Sequence, residues 1–281
     1  MSLAEGFRWT YEDWNFSGYS LAGITTSLFC RNAGVCFDVG QGLPFQNSAR
    51  HILITHAHMD HASGIPYLLS QKNMCGQKET NLYVPESFAG PLEQILQLWR
   101  SVDGHEYAYK LQAVRPGELF ELDKLYSAKP FATPHRVASQ GYLLYQKKKR
   151  LKAEFGGAGQ DEILRAKSRG VDPNEFFLEP TVAFTGDTKK EFIDSDPDIA
   201  RAKILFVEVT FWDEAKPVAH ARTWGHMHFD ELLDLLPRLK NERIVLIHAS
   251  VRYTTKTLLE ILERRLPENE RGRVVLFPRP L

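Results

Sequence analysis

Thr55-His56-Ala57-His58-Met59-Asp60-His61-Ala62-Ser63-Gly64 places three imidazoles and a carboxylate within six residues, directly after the apolar run Ile52-Leu53-Ile54. Imidazole and carboxylate are donors that borderline divalent metals such as zinc favour. The apolar run reads as a strand ending at the motif, with Asp60 placed to cap a following helix. His56 and His58 leave the strand end on one side, while Asp60 and His61 open a second cluster. That arrangement suits two adjacent metal ions better than one. The bland alternative is a histidine-rich polar loop without metal.

On the N-terminal side of this motif, Leu28-Phe29-Cys30 and Val35-Cys36-Phe37-Asp38-Val39 read as a hairpin or neighbouring strands, separated by Arg31-Asn32-Ala33-Gly34. On the C-terminal side, a helix is expected over about 60–71 with Ile65, Leu68 and Leu69 on its inner face. A short strand follows at 82–84, then a helix over 88–102 with Leu92, Ile95, Leu96 and Trp99 at helical spacing and Gly104 beyond its end. Strand-like runs recur at 111–114, 118–122, 126–132, 141–146, 182–185, 204–207, 244–247 and 274–277. Amphipathic helices are expected at 229–239 (Leu232, Leu235, Leu236, Leu239) and 255–265 (Leu258, Leu259, Leu262). This order predicts an α/β fold, two sheets packed face to face and covered by helices. No linker or internal repeat divides the 281 residues, so one domain spanning 1–281 is expected. Residues 146–180 are the exception. A basic cluster, Lys147-Lys148-Lys149-Arg150, a glycine-rich turn and a short helix at 161–169 have little core-forming power and are expected to project as an extension.

Lys+Arg and Asp+Glu each total 35, so any contact with nucleic acid must come from a local patch rather than a basic surface. Three cysteines without CxxC spacing suggest neither a disulfide framework nor a thiolate metal site, and a reducing, cytoplasmic setting is the default expectation. No signal peptide is visible, and no apolar run approaches the length of a membrane span.

Further polar residues stand at the ends of apolar runs: His135 in Thr133-Pro134-His135, Asp187 in Phe184-Thr185-Gly186-Asp187-Thr188, and His248 after Ile244–Ile247. Each alone is more often structural. Their shared position after separate strands converges them on one rim with the opening motif. His56, His58 and His135 can then hold one ion and Asp60, His61 and His248 another, with Asp187 bridging. Two ions about 3.5–4 Å apart stabilise both attacking and leaving oxygens of a displacement and supply hydroxide at neutral pH.

This set resembles the metal ligands of the metallo-β-lactamase superfamily, whose fold is an αββα sandwich. Other stretches narrow the resemblance. Pro134-His135-Arg136-Val137-Ala138-Ser139-Gln140-Gly141-Tyr142, Val207-Glu208-Val209-Thr210-Phe211, Gly225-His226-Met227-His228 and His248-Ala249-Ser250-Val251-Arg252-Tyr253 are similar to motifs of the ribonuclease Z family. Gly18-Tyr19-Ser20-Leu21-Ala22-Gly23-Ile24 and Lys149-Arg150-Leu151-Lys152 look most like its short, plant-type subgroup. The resemblance implies a homodimeric, two-zinc endoribonuclease, with manganese as the other candidate metal. Its substrate would be precursor tRNA, cut to leave a 3′-hydroxyl on the tRNA. It also implies that Glu208 and His226 form a pair beside Asp60, with His226 protonating the leaving 3′-oxygen. His228 is expected to support a ligand from behind. Ser250 and Arg252, next to a ligand, are expected near a substrate phosphate, with a structural Arg–carboxylate pair as the alternative, and the 147–150 cluster is expected on an arm that grips tRNA. A phosphodiesterase acting on small or cyclic nucleotide esters remains the alternative, with a non-catalytic RNA-binding relative behind it. His51, His105 and His220 read as ordinary surface or core histidines.

Overall fold

The computed structural model describes residues 5–77, 80–157 and 159–279. The first sheet is built from consecutive strands β1 (Phe7–Tyr11), β2 (Trp14–Leu21), β3 (Thr25–Cys30), β4 (Val35–Phe37), β5 (His51–Leu53), β6 (Thr80–Pro85) and β7 (Tyr109–Val114). The second runs from β8 (Phe120–Glu121) through β9 (Tyr126–Ala132), β10 (Gln140–Leu151), β11 (Asn174–Phe184), β12 (Ile204–Glu208) and β13 (Arg243–Ile247) to β14 (Val274–Leu276). Both sheets repeat one pattern in chain order, three antiparallel pairings followed by three parallel ones. No sequence repeat announces this shared topology.

The alternation of β2 and β9 and the apolar parallel strands give each sheet an inner face. Trp14, Phe16, Phe37, Leu53, Tyr142, Phe184, Phe206 and Val245 from the two faces form one buried cluster between the sheets. Helices α1 (Met59–Ala62), α2 (Ile65–Met74) and α3 (Glu86–Asp103) accompany the first sheet. Leu68, Leu69, Leu92 and Leu96 cover its outer face with Ile52, Ile54 and Leu82. Helix α4 (Gln160–Ser168) stands apart, while α5 (Val218–Trp224), α6 (Phe229–Leu235) and α7 (Thr255–Arg265) belong to the second half. Phe229, Leu232, Leu258 and Leu262 cover the outer face of the second sheet. The result is the expected four-layer α/β sandwich. Among the described residues no helix is long and apolar enough to cross a membrane.

Several local expectations are corrected. The helix expected over 60–71 is broken into α1 and α2 at Ser63–Gly64, because Pro66 has no N–H to continue the ladder and starts a new helix. Asp60 does not cap it. His58 occupies the N-cap, and Asp60 lies in the first turn, accepting the Gly23 N–H at 2.8 Å. In α3, Leu92 and Leu96 are buried while Ile95 and Trp99 face outward, and Leu259 of α7 is likewise exposed. Pro237 converts the end of the helix expected at 229–239 into a tighter 3-10 turn.

Residues 146–180 continue β10 and β11 beyond the sheet. After a register shift at Leu144/Tyr145, pairing runs outward from Tyr145↔Pro180 to Leu151↔Asn174, and such a bulge re-aims the ribbon. Helix α4 follows β10 and buries no side chain.

Candidate metal centre

The donors lie at or just past strand C-terminal ends, or on the short helix that follows β5. His56 and His58 follow β5, Asp60 and His61 lie on α1, His135 follows β9, Asp187 follows β11, Glu208 ends β12 and His248 follows β13. Gly186 turns the chain after β11 with φ 59°, where a Cβ would come within 2.7 Å of the Thr55 side chain. Only glycine gives Asp187 this approach.

Three donor atoms close one group: His56 Nε2 lies 3.0 Å from His58 Nδ1, and His135 Nε2 lies 3.2 Å from that same Nδ1. Asp187 Oδ2 completes it, 3.7 Å from His56 and 3.9 Å from His135. In the second group His61 Nε2 and His248 Nε2 are 3.3 Å apart, and Asp60 Oδ2 is 3.4 Å from His248. Asp187 Oδ1 faces both rings at 3.2 Å. The carboxylate of Asp187 therefore spans the two groups.

The donor set fits divalent ions. Donors sharing a tetrahedral zinc at 2.0–2.1 Å stand about 3.3 Å from one another, and the ring nitrogens and carboxylate oxygens here stand between 3.0 and 3.9 Å apart. Asp187 Oδ1 is buried with no hydrogen-bond donor aligned to it. Asp38, Asp187 and Glu208 are buried carboxylates, and among the described residues no Lys or Arg pairs with them or with Asp60. Buried negative charge of this kind calls for a cation. Burial pushes His56, His58 and His135 below the ordinary imidazole range, which keeps their lone pairs free. Burial also acts to lower His61, but Asp187 and Asp38 outweigh it and raise that ring, marking where positive charge is favoured.

The far nitrogen of four rings is anchored, which sets tautomer and orientation. His56 Nδ1 meets Thr55 Oγ1 at 2.9 Å, His61 Nδ1 meets Asp38 at 2.7 Å, His135 Nδ1 donates to Gly225 O at 2.7 Å and His248 Nδ1 meets Thr210 Oγ1 at 3.0 Å. Of the three non-glycine residues with left-handed backbone among those described, two belong to this site, Asp38 at φ 53° and His248 at φ 59°. Such conformations cost energy and persist where the surroundings fix them. The amide of Thr55 donates to Asp38 at 2.7 Å and that of His248 to Ser20 Oγ at 2.8 Å.

Glu208 and His226 sit beside this set, Oε1 to Nδ1 at 2.9 Å. Glu208 is held by Thr188 N–H at 3.0 Å and Thr210 Oγ1 at 2.7 Å, so its oxygens are already engaged. Burial alone would depress His226, but Glu208 and Asp187 outweigh it and raise the ring to about 9. The carboxylate next to the pair is Asp187, 3.8 Å from His226 Nδ1. Asp60, expected there, instead contacts Gly23, His61 and His248. His228 does not back a ligand: it caps α6 through Asp230 N–H, with Glu231 returning to its own N–H.

The remaining candidates lie further out. Ser250 is half-buried, its N–H donating to Thr210 O, and Arg252 is exposed without an ion pair among the described residues. Lys147, Lys148, Lys149 and Arg150 lie on the projecting part of β10. Three of them pair with carboxylates: Lys148 with Glu179 at 2.5 Å, Lys149 with Asp172 at 3.7 Å and Arg150 with Glu175 at 2.7 Å. Lys147 instead lies over the Phe176 ring. His51 is buried against Tyr83, and His105 is exposed. Sequence reasoning passed over Asp38, Thr55, Thr210 and Ser20. Asp38 carried the same signal as Asp187, an acid ending an apolar run.

Comparison with known proteins places this geometry in context. The model of the beta-lactamase superfamily domain matches residues 41–249. The chain is 34% identical over 265 residues to tRNase Z TRZ1 of Arabidopsis thaliana, covering 94% of each. It is 28% identical to a ribonuclease Z of Listeria innocua, covering 87% of this chain and 88% of that one. Human tRNase Z, short form, superposes with a TM-score of 0.62 at 18% identity, covering 95% of this chain and 96% of that one. YhfI from Bacillus subtilis, a metallo-beta-lactamase fold protein, gives 0.59 at 16% identity over 92% and 93%.

Proposed function

As the chain belongs to the metallo-β-lactamase superfamily and, within it, to the ribonuclease Z family, it is a hydrolase, and we propose that it is a zinc-dependent endoribonuclease cutting the phosphodiester at the 3′ end of precursor tRNA. The observation that carries this reading is the Glu208–His226 pair, which closes a third cluster with Asp187 and His248 beside the two donor groups. His56, His58 and His135 would hold one ion and Asp60, His61 and His248 the other, with Asp187 shared. Ions held there supply a nucleophile at neutral pH and stabilise charge on phosphoryl oxygens. His226 keeps a proton because Glu208 accepts from its Nδ1 and favours the cation. Its Nε2 is then free to donate to the departing 3′-oxygen. Ser250 and Arg252, on the same loop as His248, would meet a phosphate.

The arm at 146–180 would meet the tRNA body, its exposed ion pairs being weak enough to yield to phosphates. A homodimer is supported by an apolar row on α3, where Ile95, Leu98, Trp99 and Val102 are all exposed. Cytoplasmic residence is supported by three free cysteines. Incubating the zinc-loaded protein with precursor tRNA and mapping the new 3′ end tests the reading. Cleavage after the discriminator base is expected, and His226→Ala should keep its metal while losing about 10²–10⁴-fold in rate. A cut elsewhere, or none, overturns it. One observation favours a second reading, a phosphodiesterase for small or cyclic nucleotide esters: most of the basic cluster is already paired with carboxylates.

A further inference from the structure

An aromatic row leads away from His226 and takes no part in the metal centre. The Phe211 ring lies 6.2 Å from His226, and His220 meets Phe211 edge-on at 5.1 Å. His220 in turn lies 6.2 Å from Trp224, whose ring carries the Arg136 guanidinium 4.8 Å from its centroid. Trp224 is 48% exposed, and among the described residues neither it nor Phe211 belongs to a packed core.

The row is fixed to the catalytic rim rather than loosely displayed. Helix α5 ends at Gly225 with φ 82°, where a Cβ would lie 2.8 Å from His135 Nδ1 and 3.1 Å from the Arg136 amide. The same Gly225 accepts a hydrogen bond from His135. Trp224, Gly225 and His226 are therefore locked against His135 and Arg136. A large aromatic left open to water, joined to a planar cation, is the surface on which unpaired bases stack.

We propose that Phe211, His220, Trp224 and Arg136 form a stacking subsite for the unpaired base of the nucleotide whose 3′-oxygen leaves. This rests on the function proposed above. With His226 donating to that oxygen, the sugar bearing it adjoins His226, and its base reaches the neighbouring rings. Stacking uses the faces of the base, so the subsite tolerates any base and rejects its absence.

The test uses the full chain loaded with zinc and precursor tRNA carrying either a normal or an abasic nucleotide at that position. Trp224→Ala is expected to lower kcat/KM on the normal substrate by about 10- to 100-fold, chiefly through KM. Trp224→Phe should restore most of it, and on the abasic substrate wild type and Trp224→Ala should converge. Anisotropy of a labelled single-stranded RNA, with and without the base, gives a readout independent of cleavage. An equal loss for Trp224→Ala on normal and abasic substrates, together with base-independent binding, overturns the subsite and marks Trp224 as a support for the His135 loop. Absent cleavage by wild type, with base-dependent binding that Trp224→Ala abolishes, overturns the endonuclease reading while supporting a base-stacking surface.

Discussion

His226 draws its chemistry from a neighbour, Glu208, that also reaches His248 through Thr210. Glu208 is buried at the end of β12 and spends both oxygens on Thr188, Thr210 and His226. The proton on His226 is present below about 9 and lost above it, so the activity of an acid at this position fails on the alkaline side. Glu208→Gln removes the charge that raises the ring. The alkaline limb of kcat against pH should move to lower pH, with metal content unchanged; an unmoved limb would assign the proton to another group. The side chains that the fold gathers into the two donor groups were legible in the sequence from the motif at 56–61 and from their places after apolar runs. Asp38 carried the signal of an acid ending an apolar run, but it and Thr210 each act through another side chain, and nothing in their spacing says which ring they will meet. His226 and His228 show the same limit: two histidines one residue apart, of which one joins the site and the other caps α6.

The β10–β11 ribbon is the element where sequence and structure differ most in meaning. The run Lys147–Arg150 reads as a free basic patch, but strand β11 brings Glu175 opposite Arg150 and Glu179 diagonally within reach of Lys148. Cross-strand partners are invisible until the register is known. α3 carries a related lesson: its period correctly predicts a helix but cannot say which of two apolar stripes the sheet will cover. Replacing residues 147–178 with Asn-Gly joins Gln146 to Glu179, a facing pair in the ribbon, through a two-residue turn. Metal content and turnover of a small phosphodiester are expected to persist. Affinity for precursor tRNA should fall about tenfold or more, and its dependence on salt should flatten. Unchanged affinity in a filter-binding titration would remove the arm from tRNA recognition.

At the scale of the molecule, the donors join the two sheets. His56, His58, Asp60 and His61 come from the first half, and His135, Asp187 and His248 from the second. Ions that bind this folded arrangement stabilise it by mass action. Chelation should therefore lower the unfolding temperature, and readdition of zinc should restore it in proportion to free metal. A melting curve indifferent to chelator would show that the donor set does not hold ions tightly.

Each sheet is assembled from strands contiguous in the chain, the first complete by Val114 and the second beginning at Phe120. On a ribosome this gives synthesis an order. The first half can pair all its strands before most of the second has emerged, since local contacts form without waiting for distant chain. Until then Phe16, Phe37, Leu53 and Tyr83 have nothing to pack against, and the motif at 56–61 lacks its partners. The nascent chain would pass through a stage with a finished sheet, a bare greasy face and half a metal site, the interval in which chaperone capture or misassembly has its opening.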